Sequence, residues 1–255
     1  VIALKNEDLE RIRASVSGDF FYYESVGSTN TEALKLTDAK DKSLFLAENQ
    51  TLGRGRKGRC WKASEGGIYM TVLLKPEKIF DNISAITLAV GLAAANVIPN
   101  SMVKWPNDII LGNKKVAGIL AETKISENTI IIAVGIGINA NNTAFSDDLE
   151  KKATSIYLYA GEFQDTADII IKFYTEFLRT YEIFKESGFG KIKDEYEKKC
   201  ITLNREIVIL NGGKERVMTA KGINEKGELI AECDRKEETI NFGEVSVRGI
   251  LGYAL

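Results

Sequence analysis

Residues 103–122 read VKWPNDIILGNKKVAGILAE, and this stretch decides the architecture. Its apolar runs flank Trp105-Pro106. Pro106 has no N–H to give to a ladder, so a strand entering at Val103 bends or breaks there. The run to Leu111 ends at Gly112-Asn113, a turn signal. Residues 115–122 then form a second strand. The stretch is a hairpin, with Lys115 directly after its turn.

Strands continue on both sides of it. Residues 18–26 (GDFFYYESV), 43–47, 68–74 and 129–138 are strand-like, the last ending in GIGIN at 135–139. Thr29 and Glu32 have the spacing of a capping box before a short helix. Residues 84–97 are nearly all apolar and alanine-rich, long enough for a buried helix. Over 168–185, Ile169, Ile170, Phe173, Phe177, Tyr181 and Phe184 recur every three or four positions, which predicts one buried helical face. Residues 191–200 are charged and helical in pattern. Beyond Cys200 the texture changes to short strand-like runs at 207–210, 217–220, 229–232, 239–242 and 245–248. Asn211-Gly212 and Lys226-Gly227 separate some of them. Such spacing predicts a small all-β barrel and places a domain boundary near 200: domain 1–200, then domain 201–255.

Composition narrows the chemistry. Over 255 residues, 34 basic and 36 acidic side chains leave a net charge of −2, which does not suit a polycation seeking nucleic acid. No run approaches 18 uninterrupted apolar residues, and residues 1–13 lack a signal-peptide pattern, so no membrane partner and a cytoplasmic location are expected. Cys60, Cys200 and Cys233 are odd in number and widely spaced, which fits a reducing compartment and no zinc cluster. Histidine is absent. Ser-His-Asp and Cys-His catalysis are excluded, and the work falls to lysine, arginine, carboxylates, backbone dipoles or a bound ion.

The residues 50–59, QTLGRGRKGR, form the strongest local signal. Gly53, Gly55 and Gly58 satisfy GxGxxG, but the residues that follow, from Cys60, are not the helix a dinucleotide fingerprint needs. Arg59-Cys60 also stand where a P-loop requires Lys and Ser or Thr. The physics still suits an anion: glycines admit backbone N–H groups, and Arg54, Arg56 and Arg59 can fork onto phosphate or carboxylate oxygens. A solvated basic turn or a nucleic-acid contact would use the same residues. Lys104-Trp105-Pro106-Asn107-Asp108 gathers a cation, a ring, a bend, an amide and a carboxylate. Trp105 alone would be core, Lys115 alone solvated, and Ser28-Thr29-Asn30 a helix cap.

Together, GRGRKGR, KWPND, KVAGIL and GIGIN, in this order, with STN upstream and EVSVRG near the end, resemble the biotin–protein ligases. The resemblance runs from Ser28 to Gly249. It implies an α+β fold: a mixed sheet flanked by helices, as in class II aminoacyl-tRNA synthetases and lipoate ligases, with a C-terminal SH3-like β-barrel. It implies biotin and ATP as substrates, Mg²⁺ shielding the phosphates without a fixed protein metal site, and biotin carboxyl carrier protein as acceptor. On the biotin side it places Ser28, Thr29, Asn30, Gln50, Arg54, Gly55, Arg56, Lys115 and Gly118. On the ATP side it places Arg56, Arg59, Trp61, Lys104, Asn107 and Asn139. Lys115, Arg54 and Arg56 would neutralise growing phosphoryl charge, and Asp108 would orient the incoming amine or help hold Mg²⁺. Family members form homodimers through the central sheet in several ways, and some are monomers. Only 27 residues precede Ser28, too few for the helix-turn-helix of repressor members, so a ligase without DNA partner is expected. A lipoate-ligase-like acyltransferase is the neighbouring alternative. An RNA-binding module is the alternative of another class, disfavoured by the charge and by the lack of an RNP1-type aromatic pattern.

Overall fold

In the computed structural model of the chain, residues 4–78, 80, 83–126, 129–211, 214–242 and 246–249 are described. Gly212 of one expected turn and Glu244-Val245 of EVSVRG lie outside them. The order is α1 (Asn6–Ser15), β1 (Phe20–Val26), α2 (Thr29–Lys35), β2 (Ser43–Gln50), β3 (Gly67–Leu74), α3 (Ile86–Val97), β4 (Met102–Lys104), β5 (Asp108–Leu111), β6 (Lys114–Ser126) and β7 (Thr129–Asn139). Then follow α4 (Asp147–Glu150), α5 (Ile156–Ala160), α6 (Thr166–Ser187) and α7 (Lys193–Lys198). The chain continues through β8 (Glu206–Asn211), β9 (Lys214–Ile223), β10 (Leu229–Cys233), β11 (Lys236–Ile240) and β12 (Ser246–Gly249).

The first seven strands form one sheet in the order β1-β2-β3-β7-β6-β5-β4. Only β1 and β2 are parallel, so the sheet is mixed. Strand side chains alternate between faces. Leu44 and Leu46 of β2 enter the main core, while Phe45 between them joins a smaller core with Ala33, Leu73, Ile131 and Ala133 beneath α2. The sheet is thus covered on both sides. Helix α3 is buried from Ile86 to Ala95; its alanines and Gly91 remove bulk where it packs between the sheet and α6. Helix α6 exceeds the periodic stretch at both ends. The Asp165 carboxylate accepts the Asp168 N–H (3.0 Å), and Gly188 ends the helix at φ 72°.

The decisive hairpin forms, but its second strand starts one residue earlier than expected: Lys114, paired with Leu111, is the residue directly after the turn, and Lys115 comes next. Strand β4 stops at Lys104, a cis Trp105–Pro106 bond follows, and β5 starts at Asp108. Gly112 and Asn113 both have positive φ, the backbone of a two-residue hairpin turn. The pairing shifts between Ile109 and Ile110, which face Ala117 and Lys115. Val116 is the extra residue of this bulge, a device that re-aims side chains.

The second sheet is antiparallel, in the order β11-β10-β9-β8-β12, and forms the SH3-like C-terminal part. Strand β11 begins at Lys236, three residues before the expected start. Its turn is made by Asp234 and Arg235, both at positive φ without glycine or asparagine to announce it. The junction with the first sheet is tight. Residues 199–201 bond to both backbone groups of Val103, covering the outer edge of β4. The Trp105 indole donates to the Gly227 carbonyl (3.0 Å) and packs on the Phe242 ring, centroids 5.3 Å apart. No helix among the described residues is long and apolar enough to cross a membrane.

Candidate active site

Ser28, Thr29 and Asn30 are all buried at the start of α2. The expected capping box does not form. Ser28 is the N-cap and makes no side-chain cap bond, while Thr29 already lies in the first helical turn. The stronger competitor is a buried polar chain. Gln50 Oε1 accepts the Thr29 N–H (2.8 Å). The Thr71 hydroxyl lies 2.8 Å from Thr29 Oγ1 and 2.6 Å from Asn30 Oδ1. Asn30 Nδ2 donates to the Leu120 carbonyl (3.2 Å) and to Glu122 Oε2 (2.8 Å). Buried polar groups must be paired, and here Thr29 and Asn30 find their partners on β2, β3 and β6.

The glycine–arginine loop is a pinched hairpin whose tip, Lys57 to Arg59, stays exposed. Gly53 O accepts from the Trp61 N–H (2.9 Å), and the Gly55 N–H donates to the Arg59 carbonyl (2.7 Å). The chain reverses over Arg56–Gly58, with Lys57 and Gly58 at positive φ. Arg54 Nη2 donates to Glu122 Oε2 (2.8 Å). Arg56 turns the other way: Nη1 donates to Asn107 Oδ1 (3.0 Å) and Nη2 to the Phe242 carbonyl. Burial pulls the Arg56 pKa down, opposed by the charge of Asp108. Arg59 stays exposed, its Nε on the Arg56 carbonyl (3.3 Å).

Beyond the loop, Trp61 crosses the middle of the sheet. Gly118 of β6 and Gly137 of β7 are paired in register. A Cβ on either would come within 2.6 Å of the indole, so this glycine pair is what lets the ring lie flat on the strands. The buried Trp61 Nε1 has no hydrogen-bond partner among the described residues. Lys115 Nζ stands 5.2 Å from the Trp61 ring centroid and 2.5 Å from Asp108 Oδ1. Both charged side chains are mostly buried, where an ion pair is only weakly screened. Lys104 is buried opposite Asp108 in the β4–β5 register. Asn107 is fixed by mutual bonds with the Ile119 backbone and presents Oδ1 to Arg56.

The structure therefore gathers Lys115, Asp108, Trp61 and Gly118, with Arg56 and Asn107 beside them and the Ser28–Asn30, Gln50 and Arg54 group joined through β6. Asn139 does not join them: it is buried and its amide donates to the Thr154 carbonyl (3.0 Å). Thr154 in turn donates its N–H to Lys115 O, so Asn139 braces the backbone behind the lysine. Sequence reading missed Thr71, Glu122 and the Phe242 carbonyl. Thr71 and Glu122 are ordinary strand residues by pattern, and a backbone carbonyl has no sequence signature. Among the described residues no three His, Cys, Asp or Glu side chains gather to hold a metal ion. The carboxylate at the centre, Asp108, already faces Lys115, so these residues do not fit a resident metal.

The seven-stranded mixed sheet carries the Lys115–Asp108 pair on the same strands that the glycine–arginine loop faces, and the family comparison puts this part of the chain in the class of biotin and lipoate ligases. The model described as the biotin/lipoate A/B protein ligase family matches residues 22–139, and that of the biotin protein ligase C-terminal domain matches 202–248. The chain belongs to the biotin–protein ligases and is an enzyme of that family. It is 31% identical to the biotin–[acetyl-CoA-carboxylase] ligase of Paracoccus denitrificans, over 87% of this chain and 98% of that protein. It is also 31% identical to the bifunctional ligase/repressor of Bacillus subtilis, over 92% of this chain and 76% of that one. Among solved structures, the biotin protein ligase of Aquifex aeolicus in complex with biotin and ATP superposes with a TM-score of 0.81, at 31% identity, covering 91% of this chain and 99% of that one.

Proposed function

We propose that this chain joins biotin to ATP as biotinyl-5′-AMP and passes the biotinyl group to a lysine of a biotin carboxyl carrier protein. The observation that carries the reading is the mostly buried Lys115–Asp108 pair beside Trp61 on the Gly118–Gly137 platform. In the first step a biotin carboxylate oxygen bonds to the α-phosphorus of ATP. The bond to the β-phosphate oxygen breaks, and pyrophosphate leaves. Both reactants are anions, so the main work is to hold them together and offset the growing charge. Lys115 and Arg56 suit that task, being cations held by burial and by Asn107. The Thr29–Asn30–Gln50 chain offers fixed polar atoms for the neutral end of biotin, and Arg54 closes over it. Trp61 offers a ring face to the nucleotide.

In the second step the acceptor amine attacks the acyl carbon and AMP leaves. Asp108 orients that amine and shares its charge with Lys115. The loop over the adenylate would exclude water from a reactive anhydride. Mg²⁺ enters with the nucleotide phosphates and not through a protein site. Residues 1–200 carry this chemistry, and 201–255 brace it through Phe242 and Gly227.

The test is ATP–pyrophosphate exchange, run separately with biotin and with lipoate. Biotin-dependent exchange is expected. Lys115→Ala should lower it by about 10²–10³-fold, the scale of losing one preorganised charge-stabilising group. A folded sample that exchanges with lipoate alone would move the reading to the sister activity. No exchange with biotin would end it.

A further inference from the structure

Glu122 belongs to none of the motifs, yet it joins two of them. Its Oε2 accepts from Asn30 Nδ2 and from Arg54 Nη2, each at 2.8 Å. Asn30 cannot drift. It is buried, held by Thr71 and by the Leu120 carbonyl, and pressed against Gly135 of β7, where a Cβ would collide with its amide. A buried amide so held fixes the carboxylate that it touches, because moving would leave polar atoms unpaired. Glu122 then fixes Arg54, whose own side chain is 44% exposed. A guanidinium has five N–H donors. The contact to Glu122 uses Nη2 and leaves others to face an incoming carboxylate or phosphate.

We propose that Glu122 is a positioning residue that couples the Ser28–Asn30 turn to closure of the glycine–arginine loop. A ligand seated against Thr29 and Asn30 stiffens the carboxylate, and the carboxylate keeps Arg54 and the loop shut. The proposal rests on the reading of this turn and loop as the biotin pocket.

The experiment uses the full chain with Glu122→Ala, Glu122→Gln, Arg54→Ala and the double variant Glu122→Ala/Arg54→Ala. The first readout is the rate of limited trypsin cleavage in the loop, with and without biotin, which needs no activity. The second is the biotin half-saturation of pyrophosphate exchange against its kcat. In Glu122→Ala, ligand-free cleavage should quicken and biotin half-saturation rise, each by about 5-fold, with kcat within about 2-fold, as suits a partly exposed charge-assisted bond. Glu122→Gln keeps an acceptor oxygen without the charge and should fall between. The double variant should be no worse than Arg54→Ala, since both changes remove one coupling. Unchanged cleavage in Glu122→Ala, additive effects in the double variant, or a fall in kcat at unchanged half-saturation would each overturn the proposal. If Glu122→Ala does not fold, Glu122→Gln decides by the same criteria. Wild-type chain that neither exchanges nor gains protection with biotin would refute the ligase reading, and the ligand-free cleavage comparison would still decide the tether.

Discussion

Arg54 and Arg56 stand two residues apart on one loop and keep opposite company. Arg54 reaches Glu122 and, through it, the Asn30–Thr71–Thr29–Gln50 chain, all on the first sheet and α2. Arg56 spans the junction, from Asn107 before β5 to the Phe242 carbonyl beyond β11. The first is a half-exposed cation on a carboxylate. The second is a half-buried cation held by neutral oxygens, its pKa lowered by desolvation. The same residue type thus serves two purposes. Arg54 depends on the internal order of one sheet, and Arg56 on two sheets being docked.

Exchanging each arginine for lysine tests this division most strongly. An ammonium cannot span Asn107 and Phe242 as a planar fork does. Arg56→Lys should therefore raise the ATP half-saturation of pyrophosphate exchange by about 10-fold or more, the cost of a lost hydrogen bond to a charged group. Arg54→Lys keeps an ion pair with Glu122 and should stay within about 3-fold. Equal losses in both would break the comparison.

A smaller effect should follow from Thr71→Val, which removes the hydroxyl linking Thr29 to Asn30. Chemical denaturation should show about 1–2 kcal/mol of lost stability from the buried unpaired amide oxygen, with Thr71→Ser close to the wild type. Trp105, on the Arg56 side, should keep its native fluorescence.

The mildest test is thiol labelling. Cys60 is exposed on the loop; Cys200 is buried at the junction, its pKa pushed up to about 11 by burial. At pH 8 Cys60 should label in the native protein and Cys200 only in denaturant, because the thiolate is the reactive form. Native labelling of Cys200 would mean that the junction opens more readily than the Arg56 contacts allow.

Much of this was legible before the fold was known. The hairpin at 103–122 announced itself through Pro106 and Gly112-Asn113, and α6 through its apolar spacing. The motif residues Lys115, Asp108, Trp61 and Gly118 do come together. The capping box did not survive, because Thr29 gains more from Gln50 and Thr71 than from its own helix end. Helix α1 was overlooked, since within its mixed, charged sequence only Ile12 is buried. Thr71 and Glu122 carry no local signal at all.

What the sequence by itself determined were the local preferences: where strands break, which faces are apolar, which loop can approach an anion. Those depend on neighbours within a few residues. Only the tertiary structure decided which arginine meets Glu122 and which meets Phe242, and that Trp61 rests on a glycine pair from two strands. Such contacts join residues tens to nearly two hundred positions apart, and their partners are selected by packing and by the need to satisfy every buried polar atom.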